Sequence, residues 1–116
     1  MKITVERSGC SLGDQIVKAD TFWTRLKGLI GKSTLQLGEG LWITNCKQVH
    51  MIGMKFPISV VFVDKNLIVV GIVNTLKVGS VSSYIRKANS VIELPNNVLE
   101  RNDIQLGDTL VINRVV

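Results

Sequence analysis

Residues 58–73 have the sequence ISVVFVDKNLIVVGIV, which holds two nearly uninterrupted apolar runs. The first extends from Ile58 to Asp64 and the second from Leu67 to Val73, and the Asp-Lys-Asn triplet at 64–66 is rich in turn formers. Two short apolar strands joined by such a turn form a β-hairpin. Because a continuous apolar run indicates that both faces of a strand are covered, we predict that both strands lie in the middle of the core.

Further strands are predicted on both sides of this hairpin, where apolar and polar residues alternate or where apolar runs end at turn residues. They are Lys2–Glu6, a short strand at Ile16 and Val17, Gly40–Thr44, Ser90–Leu94 and Thr109–Val115. Ser8–Asp14 is predicted to be a turn-rich loop, and Asn97–Arg101 a single helical turn. Strands of this length between glycine and asparagine turns indicate a mainly β fold, either a sandwich or a small barrel.

One short helix, Thr21–Ile30, is predicted to pack on the sheet. Asp20 or Thr21 can cap its first N–H groups, and Gly31 can adopt the left-handed conformation that ends a helix. The apolar residues of this segment fall on one stripe of a helix, namely Phe22, Leu26, Leu29 and Ile30.

Length and composition indicate one ordered domain that spans residues 1–116. The chain is 46% hydrophobic and 20% charged, which is typical of a packed protein and not of a disordered one. Its net charge of +5 would attract anions, but the lysines are scattered and the longest basic run is the pair Arg86 and Lys87. A nucleic-acid partner is therefore not expected, because such proteins usually carry a basic stripe or stacking aromatic residues.

A soluble, cytoplasmic location is predicted from the lack of targeting signals. Residues 1–9 contain no apolar run of the kind found in a secretory signal, and the longest apolar stretches are far shorter than the roughly 20 residues of a membrane helix. The two cysteines, Cys10 and Cys46, are then expected to be free thiols, with a disulfide between them as the less favoured alternative.

The candidate functional site follows Asn45, where Cys46 and the only histidine, His50, precede the apolar run. In a helical turn, this spacing would place both side chains on one face, but in an irregular loop it would not. Catalysis would pair a Cys46 thiolate with His50 as the base, and Lys47 and Lys55 could favour the thiolate. Against this, a lone cysteine is more often a buried packing residue than a catalytic one.

Two other kinds of site are disfavoured, so that no metal or cofactor is predicted. A zinc site would need a carboxylate such as Glu39 or Asp64 in addition to the three soft donors of the chain, which are Cys10, Cys46 and His50. Gly28 and residues 31–33 resemble a phosphate-binding loop, but the glycine spacing is wrong and a helix precedes them instead of a strand.

From residue 17 to 112, the chain resembles family 192 of the domains of unknown function in three ordered blocks. The first contains Ala19, Thr21, Phe22, Arg25, Gly28, Leu29, Gly31, Gly38, Glu39, Gly40 and Leu41. The second contains Cys46, Val49, His50, Gly53, Met54, Phe56, Pro57, Ile58, Val60, Val61, Phe62 and Asp64. The third contains Ala88, Val91, Glu93, Leu94, Pro95, Arg101, Gly107, Asp108 and Leu110.

The resemblance implies a compact, mainly β, jelly-roll-like domain without an established activity. This chain has Ser59 where the family has aspartate, so a catalytic triad built from this block would lack its acid. It has Asn97 where the family has glycine, and asparagine also tolerates a positive φ. Arg25 and Glu93 are family residues of opposite charge, and we expect them to form a partly buried pair that docks the helix onto the sheet.

The leading hypothesis is a non-catalytic binding or accessory module with its site at the loop from Cys46 to Phe56, since function tends to collect on loops held by a rigid scaffold. Its partner is a small molecule or a protein, and the sequence does not separate the two. The candidate binding residues are Cys46, His50, Gly53, Met54, Phe56, Arg25 and Glu39. The alternatives are a small hydrolase-type enzyme that uses Cys46 with His50, and a purely structural role for these residues.

Overall fold

The computed structural model describes residues 1–19, 35–51 and 54–114. Within these residues, the chain forms β1 (Lys2–Val5), β2 (Ser11–Gly13), β3 (Gln15–Ala19), β4 (Glu39–Thr44), β5 (Ile58–Val63), β6 (Val69–Leu76), β7 (Ser90–Pro95), α1 (Val98–Arg101) and β8 (Leu110–Asn113). The mainly β prediction is confirmed, and α1 is the predicted helical turn. The predicted helix Thr21–Ile30 lies outside the described residues. None of the helices described is long and apolar enough to cross a membrane.

The described strands form two sheets. One has three strands in the order β2-β1-β8, and the other has five in the order β3-β4-β7-β5-β6. Neighbouring strands are antiparallel except for β3 and β4, which are parallel. The described strands form a sandwich, which is one of the two predicted architectures, and do not close into a barrel.

The five-stranded sheet carries a buried apolar layer on each face. The face that packs on the three-stranded sheet, here called the sandwich face, contributes Val61, Val63, Ile92 and Leu94. The opposite face, here called the loop face, contributes Ile43, Ile58, Val60, Phe62 and Val91. The candidate functional segment covers this second face, so burial of the loop face holds that segment in place.

The predicted hairpin is confirmed, because β5 and β6 pair antiparallel across the turn at Asp64. The Asp64 carboxylate closes this turn by accepting hydrogen bonds from the N–H groups of Asn66 at 2.8 Å and Ile68 at 3.0 Å. All residues of β5 are buried, as expected.

The predicted central position of the second hairpin strand is wrong. β6 is the edge strand of its sheet, and its residues Asn74 and Thr75 are exposed. The second fully buried strand beside β5 is β7. An edge strand whose side chains contact both apolar layers has the same apolar composition as a central strand. The composition of a strand reflects the burial of its side chains, and not the number of strands hydrogen-bonded to it.

Strand β2 lies inside the segment predicted to be a turn-rich loop. It pairs with β1 through Thr4 opposite Ser11 and Ile3 opposite Gly13, with an irregularity between these two pairs. Leu12 is buried there. Three residues are too few for apolar and polar positions to show an alternation, so the glycines dominate the sequence signal.

One ion pair links the segment after β1 to the segment before β8. The Arg7 guanidinium donates to both carboxylate oxygens of Asp108, at 2.8 and 3.0 Å, and also to the carbonyl of Asp103. The hydrogen bonds from Arg7 to the carboxylate, together with one from the N–H of Gln105, hold the pKa of Asp108 below its ordinary value of 3.8. The pair therefore favours the folded state most where the carboxylate is ionised.

The stability of the Arg7→Gln variant is expected to fall less with decreasing pH than that of the unaltered protein. Because the folded pKa of Asp108 lies below the unfolded one, its contribution is present above about pH 4 and is lost as the pH falls through the folded value. The urea midpoint should therefore drop less between about pH 6 and about pH 2.5 in Arg7→Gln than in the unaltered protein. Arg114→Gln, at an exposed position, is the control, and an unchanged drop in Arg7→Gln would contradict the expectation.

Candidate functional site

Residues 46–51 and 80–89 run antiparallel to each other and form a unit that we call the ribbon. Four backbone hydrogen bonds of 2.9 to 3.2 Å, each from an N–H group to a carbonyl, join the two segments. The donor and acceptor residues are Met51 and Ser80, Ser82 and Val49, Ile85 and Lys47, and Cys46 and Asn89. The chain enters the ribbon from β4 at Asn45, whose φ of 53° is one that asparagine tolerates better than most residues. The candidate loop is therefore held by a partner segment.

Side chains add further hydrogen bonds within the ribbon. The buried Ser82 hydroxyl accepts from the N–H of Val49 at 2.9 Å, and the Gln48 side-chain amide donates to the Ser82 carbonyl at 3.0 Å. The Lys47 ammonium donates to the carbonyls of Arg86 and Ala88. These contacts fix the backbone at the start of the ribbon, so the site is built on a rigid support.

The inner side of the ribbon is part of the core. Val49 and Met51 are buried against the loop face, together with Met54 and Phe56 in the residues that follow. The structure therefore places Met54 and Phe56, two of the predicted binding residues, among the core residues. Phe56 also borders a concavity of ≈ 310 Å³, which Leu37 and other residues line.

The outer side of the ribbon carries His50, which is exposed and lies opposite Val81. The hydrogen bonds from Met51 to Ser80 and from Ser82 to Val49 flank these two residues, which makes them a non-hydrogen-bonded pair. Side chains in such a pair are close to each other on the same side of the two segments. His50 and Val81 thus form one patch that faces solvent.

Cys46 lies at the other end of the ribbon, where its half-buried side chain borders a concavity of ≈ 440 Å³. The thiol donates a hydrogen bond to the Gln48 carbonyl at 3.1 Å. The described residues that line this concavity, which we call the amide concavity, are Asn45, Cys46, Lys47, Gln48, Tyr84 and Asn89. Carboxamides and a phenol dominate its wall, so it can both donate and accept hydrogen bonds.

The two residues of the predicted catalytic pair occupy different positions along the ribbon, since Cys46 borders the amide concavity and His50 lies opposite Val81. The described lining of the amide concavity includes Cys46 but not His50. Residues 46–50 are not helical, so the spacing that would have placed both side chains on one face of a helix does not apply. In an extended segment, residues four apart are separated by up to about 13 Å.

Other predicted binding residues lie away from the amide concavity or outside the described residues. The Glu39 carboxylate accepts a hydrogen bond from the N–H of Gln36 at 2.8 Å and closes the turn before β4. Arg25 and Gly53 are not among the described residues. Glu93 is completely buried in β7, between Leu41 and Val60 of the neighbouring strands.

Cys46 is the one residue of this wall that was a predicted binding residue. Lys47 and Gln48 lie in the predicted loop, whereas Asn45, Tyr84 and Asn89 lie outside it. They come from two distant parts of the chain that the pairing of β4 with β7 brings together, since Thr44 lies opposite Ser90. Only knowledge of this strand register could have placed Asn45 beside Asn89. Local sequence patterns do not contain that information.

Cys10 and Cys46 are not joined in a disulfide, as predicted, and both are half-buried. Among residues 1–19, 35–51 and 54–114, no three side chains of histidine, cysteine, aspartate or glutamate form a group that could hold a metal ion.

Comparison with known proteins identifies the fold and the family. The chain is similar in structure to a protein of unknown function from Novosphingobium aromaticivorans, with a TM-score of 0.79, 18% identity and coverage of 97% of this chain and 84% of the other. It is also similar to a protein from Sinorhizobium meliloti described as a "putative transcription regulator", with a TM-score of 0.75, 19% identity and coverage of 95% and 89%.

Among curated proteins, none matches the chain. The family model described as "Uncharacterized ACR" matches residues 3–112, which is nearly the whole sequence. The chain therefore belongs to family 192 of the domains of unknown function (DUF192).

Proposed function

We propose that this protein is a non-catalytic binding module and that its binding site is the amide concavity. The observation that carries the proposal is the position of Asn45, Tyr84 and Asn89, which are exposed around a depression at the end of a rigid ribbon. Tyr84 is 61% exposed, which is unusual for a large aromatic side chain on a well-packed domain. An exposed tyrosine beside several carboxamides offers both contact area and directional hydrogen bonds to a ligand.

The hydrolase alternative has less support from the same geometry. A nucleophilic cysteine needs a base within hydrogen-bond reach, whereas the Cys46 thiol donates to a backbone carbonyl and His50 lies on the outer side of the ribbon. Ser59, which occupies the position of the family's aspartate, is buried and donates its hydroxyl proton to the Asn74 carbonyl at 2.6 Å. That contact stabilises the hairpin and supplies no acid.

Binding should depend on Tyr84 and not on Cys46. Tyr84→Ala removes the largest exposed side chain of the concavity and is expected to weaken binding about tenfold, whereas Cys46→Ala should leave binding and fold intact. The measurement is a titration of the ¹⁵N-labelled protein with a panel of neutral amides, sugars and nucleosides, followed by NMR. The shifts should cluster on Asn45, Tyr84 and Asn89.

Leu106→Ala is the matched control for Tyr84→Ala, because Leu106 is 67% exposed and lies outside the concavity. Shifts that cluster instead around the concavity beside Phe56 would contradict the proposed site. The hydrolase alternative would gain support from the opposite pattern, in which an ester substrate is turned over and Cys46→Ala abolishes turnover without loss of fold.

A further inference from the structure

The ribbon lies in the most one-sidedly charged part of the sequence. Between Gly40 and Ile92, the basic residues are Lys47, Lys55, Lys65, Lys77, Arg86 and Lys87, and the only acidic residue is Asp64. The Asp64 carboxylate is engaged in the hairpin turn, where it accepts from two backbone N–H groups. The two segments of the ribbon contain three cations and no carboxylate, so the surface around them attracts anions.

The second segment of the ribbon and the residues just before it also expose apolar side chains. Val78, Val81 and Tyr84 are 51%, 48% and 61% exposed, and they are three residues apart in the segment between Lys77 and Arg86. Both of these cations, and Lys87 after them, are also exposed. A mixed apolar and basic surface of this kind is complementary to a partner that combines aliphatic contacts with negative charge.

The amide concavity adds a third feature, which favours a polypeptide among the possible anionic partners. The carboxamides of Asn45, Gln48 and Asn89 each combine donors with an acceptor, as the backbone of an extended peptide does. A lipid surface would instead favour an amphipathic helix with a wide apolar face, but the exposed residues between 77 and 87 are not in a helix. Nucleic acid would favour a longer basic run than Arg86 and Lys87.

We propose that the outer side of the ribbon, together with the amide concavity, docks an acidic, extended segment of a partner protein. This inference rests on the proposed function and names the class of partner for the same site. Arg86 and Lys87 contact its carboxylates, Val81 and Tyr84 contact its aliphatic side chains, and the carboxamides bind its backbone.

The test uses three matched pools of fluorescein-labelled peptides of twelve residues with the 116-residue chain. Four fixed positions are glutamate in the first pool, glutamine in the second and lysine in the third, and the other positions are randomised alike. Fluorescence anisotropy should show binding of the glutamate pool alone, and NMR shifts should fall on residues 45–51 and 80–89. The Arg86→Glu, Lys87→Glu double variant is expected to bind the glutamate pool about tenfold or more weakly.

The matched control is the Lys2→Glu, Lys65→Glu double variant, which makes the same change in net charge at two exposed positions outside the ribbon. It should retain most of the affinity, and unchanged thermal midpoints show that both variants fold. Equal loss in both variants would mean attraction by net charge only and would overturn the proposal, as would equal binding of the glutamine pool.

Two further probes address other anions. Tighter binding of phosphatidylserine vesicles, or of a DNA duplex of 20 base pairs, than of the glutamate pool would overturn the proposal in favour of that partner. If neutral amides or sugars shift Asn45, Tyr84 and Asn89 while no peptide pool does, the acidic partner is refuted and the binding site remains. If no compound in either experiment shifts these residues, the proposed function itself fails.

Discussion

The Arg25→Met variant is expected to be about 3–5 kcal/mol less stable than the unaltered protein, on the inference that Arg25 balances the charge of a buried carboxylate. Glu93 is 0% exposed in the centre of the five-stranded sheet, with Leu41 and Val60 beside it. Burial of an ionised group is tolerated only with a compensating partner. We infer that Arg25, the family residue of opposite charge, is that partner.

The double variant Arg25→Met, Glu93→Leu tests whether the stability loss in Arg25→Met comes from an unbalanced charge or from a general loss of packing. If the two charges balance each other, removal of both should restore most of the stability lost in Arg25→Met, since a buried pair can often be replaced by apolar residues at little cost. Urea denaturation of both single variants and of the double variant gives the coupling energy.

The control is Arg86→Met, which removes an exposed arginine and is expected to change stability by about 0.5 kcal/mol or less. A cost for Arg25→Met no larger than that of the control would show that another group balances Glu93. A loss in the double variant equal to the sum of the two single losses would show that the residues do not interact.

Except for the three-residue β2, the strands were predictable because each depends on a local pattern. The apolar runs at 58–73 and the alternation after Met1 correspond to β5, β6 and β1, and the turn at Asp64 joins two strands as its residues indicated. The order of strands in the sheet was not predictable in the same way. β6 is at an edge while β7 is central, and this depends on contacts between distant segments.

The sequence indicated a segment that borders the amide concavity but not most of the residues that line it. The segment after Asn45 does border a concavity, and Cys46 is part of its wall. Met54 and Phe56 follow in the same loop, but they are buried because the loop face of the sheet needs apolar residues to cover it. Tyr84 and Asn89 complete the wall from the second segment of the ribbon, which no local pattern in the sequence connects to Cys46.

The two sides of the ribbon would tolerate substitution differently. The inner side of the ribbon supplies core residues, so changes at Val49 or Met51 would act first on stability. The outer side and the amide concavity carry exposed residues, which can change with little effect on folding. On the proposed function, specificity for a partner would therefore be set at exposed positions such as Val81 and Tyr84, on a constant scaffold.

The largest effect of a single truncation is expected at Phe62, the central aromatic residue of the loop face. Phe62 is 1% exposed in β5, and it lies opposite Gly71 of β6. Phe62→Ala should cost about 3–5 kcal/mol, through lost burial and the cavity left behind, and Phe62→Leu should cost considerably less. Since domains of this size are stable by about 5–15 kcal/mol, Phe62→Leu keeps the measurement possible if the alanine variant does not fold.

Gly71 provides a sharper test, because the Phe62 ring lies over it. A Cβ atom added to Gly71 would be 3.0 Å from Cδ2 of that ring, which is tighter than an ordinary contact. Gly71→Ala alone should therefore be destabilising, whereas in the Phe62→Ala background the added methyl group occupies space that the ring has vacated, and its cost should shrink or reverse. Urea midpoints of the two single variants and the double variant measure this coupling. Strictly additive losses would mean that the ring does not determine the requirement for glycine, and that the other close neighbours do, which are Cβ of Phe62 at 3.3 Å and Cγ1 of Ile85 at 3.4 Å.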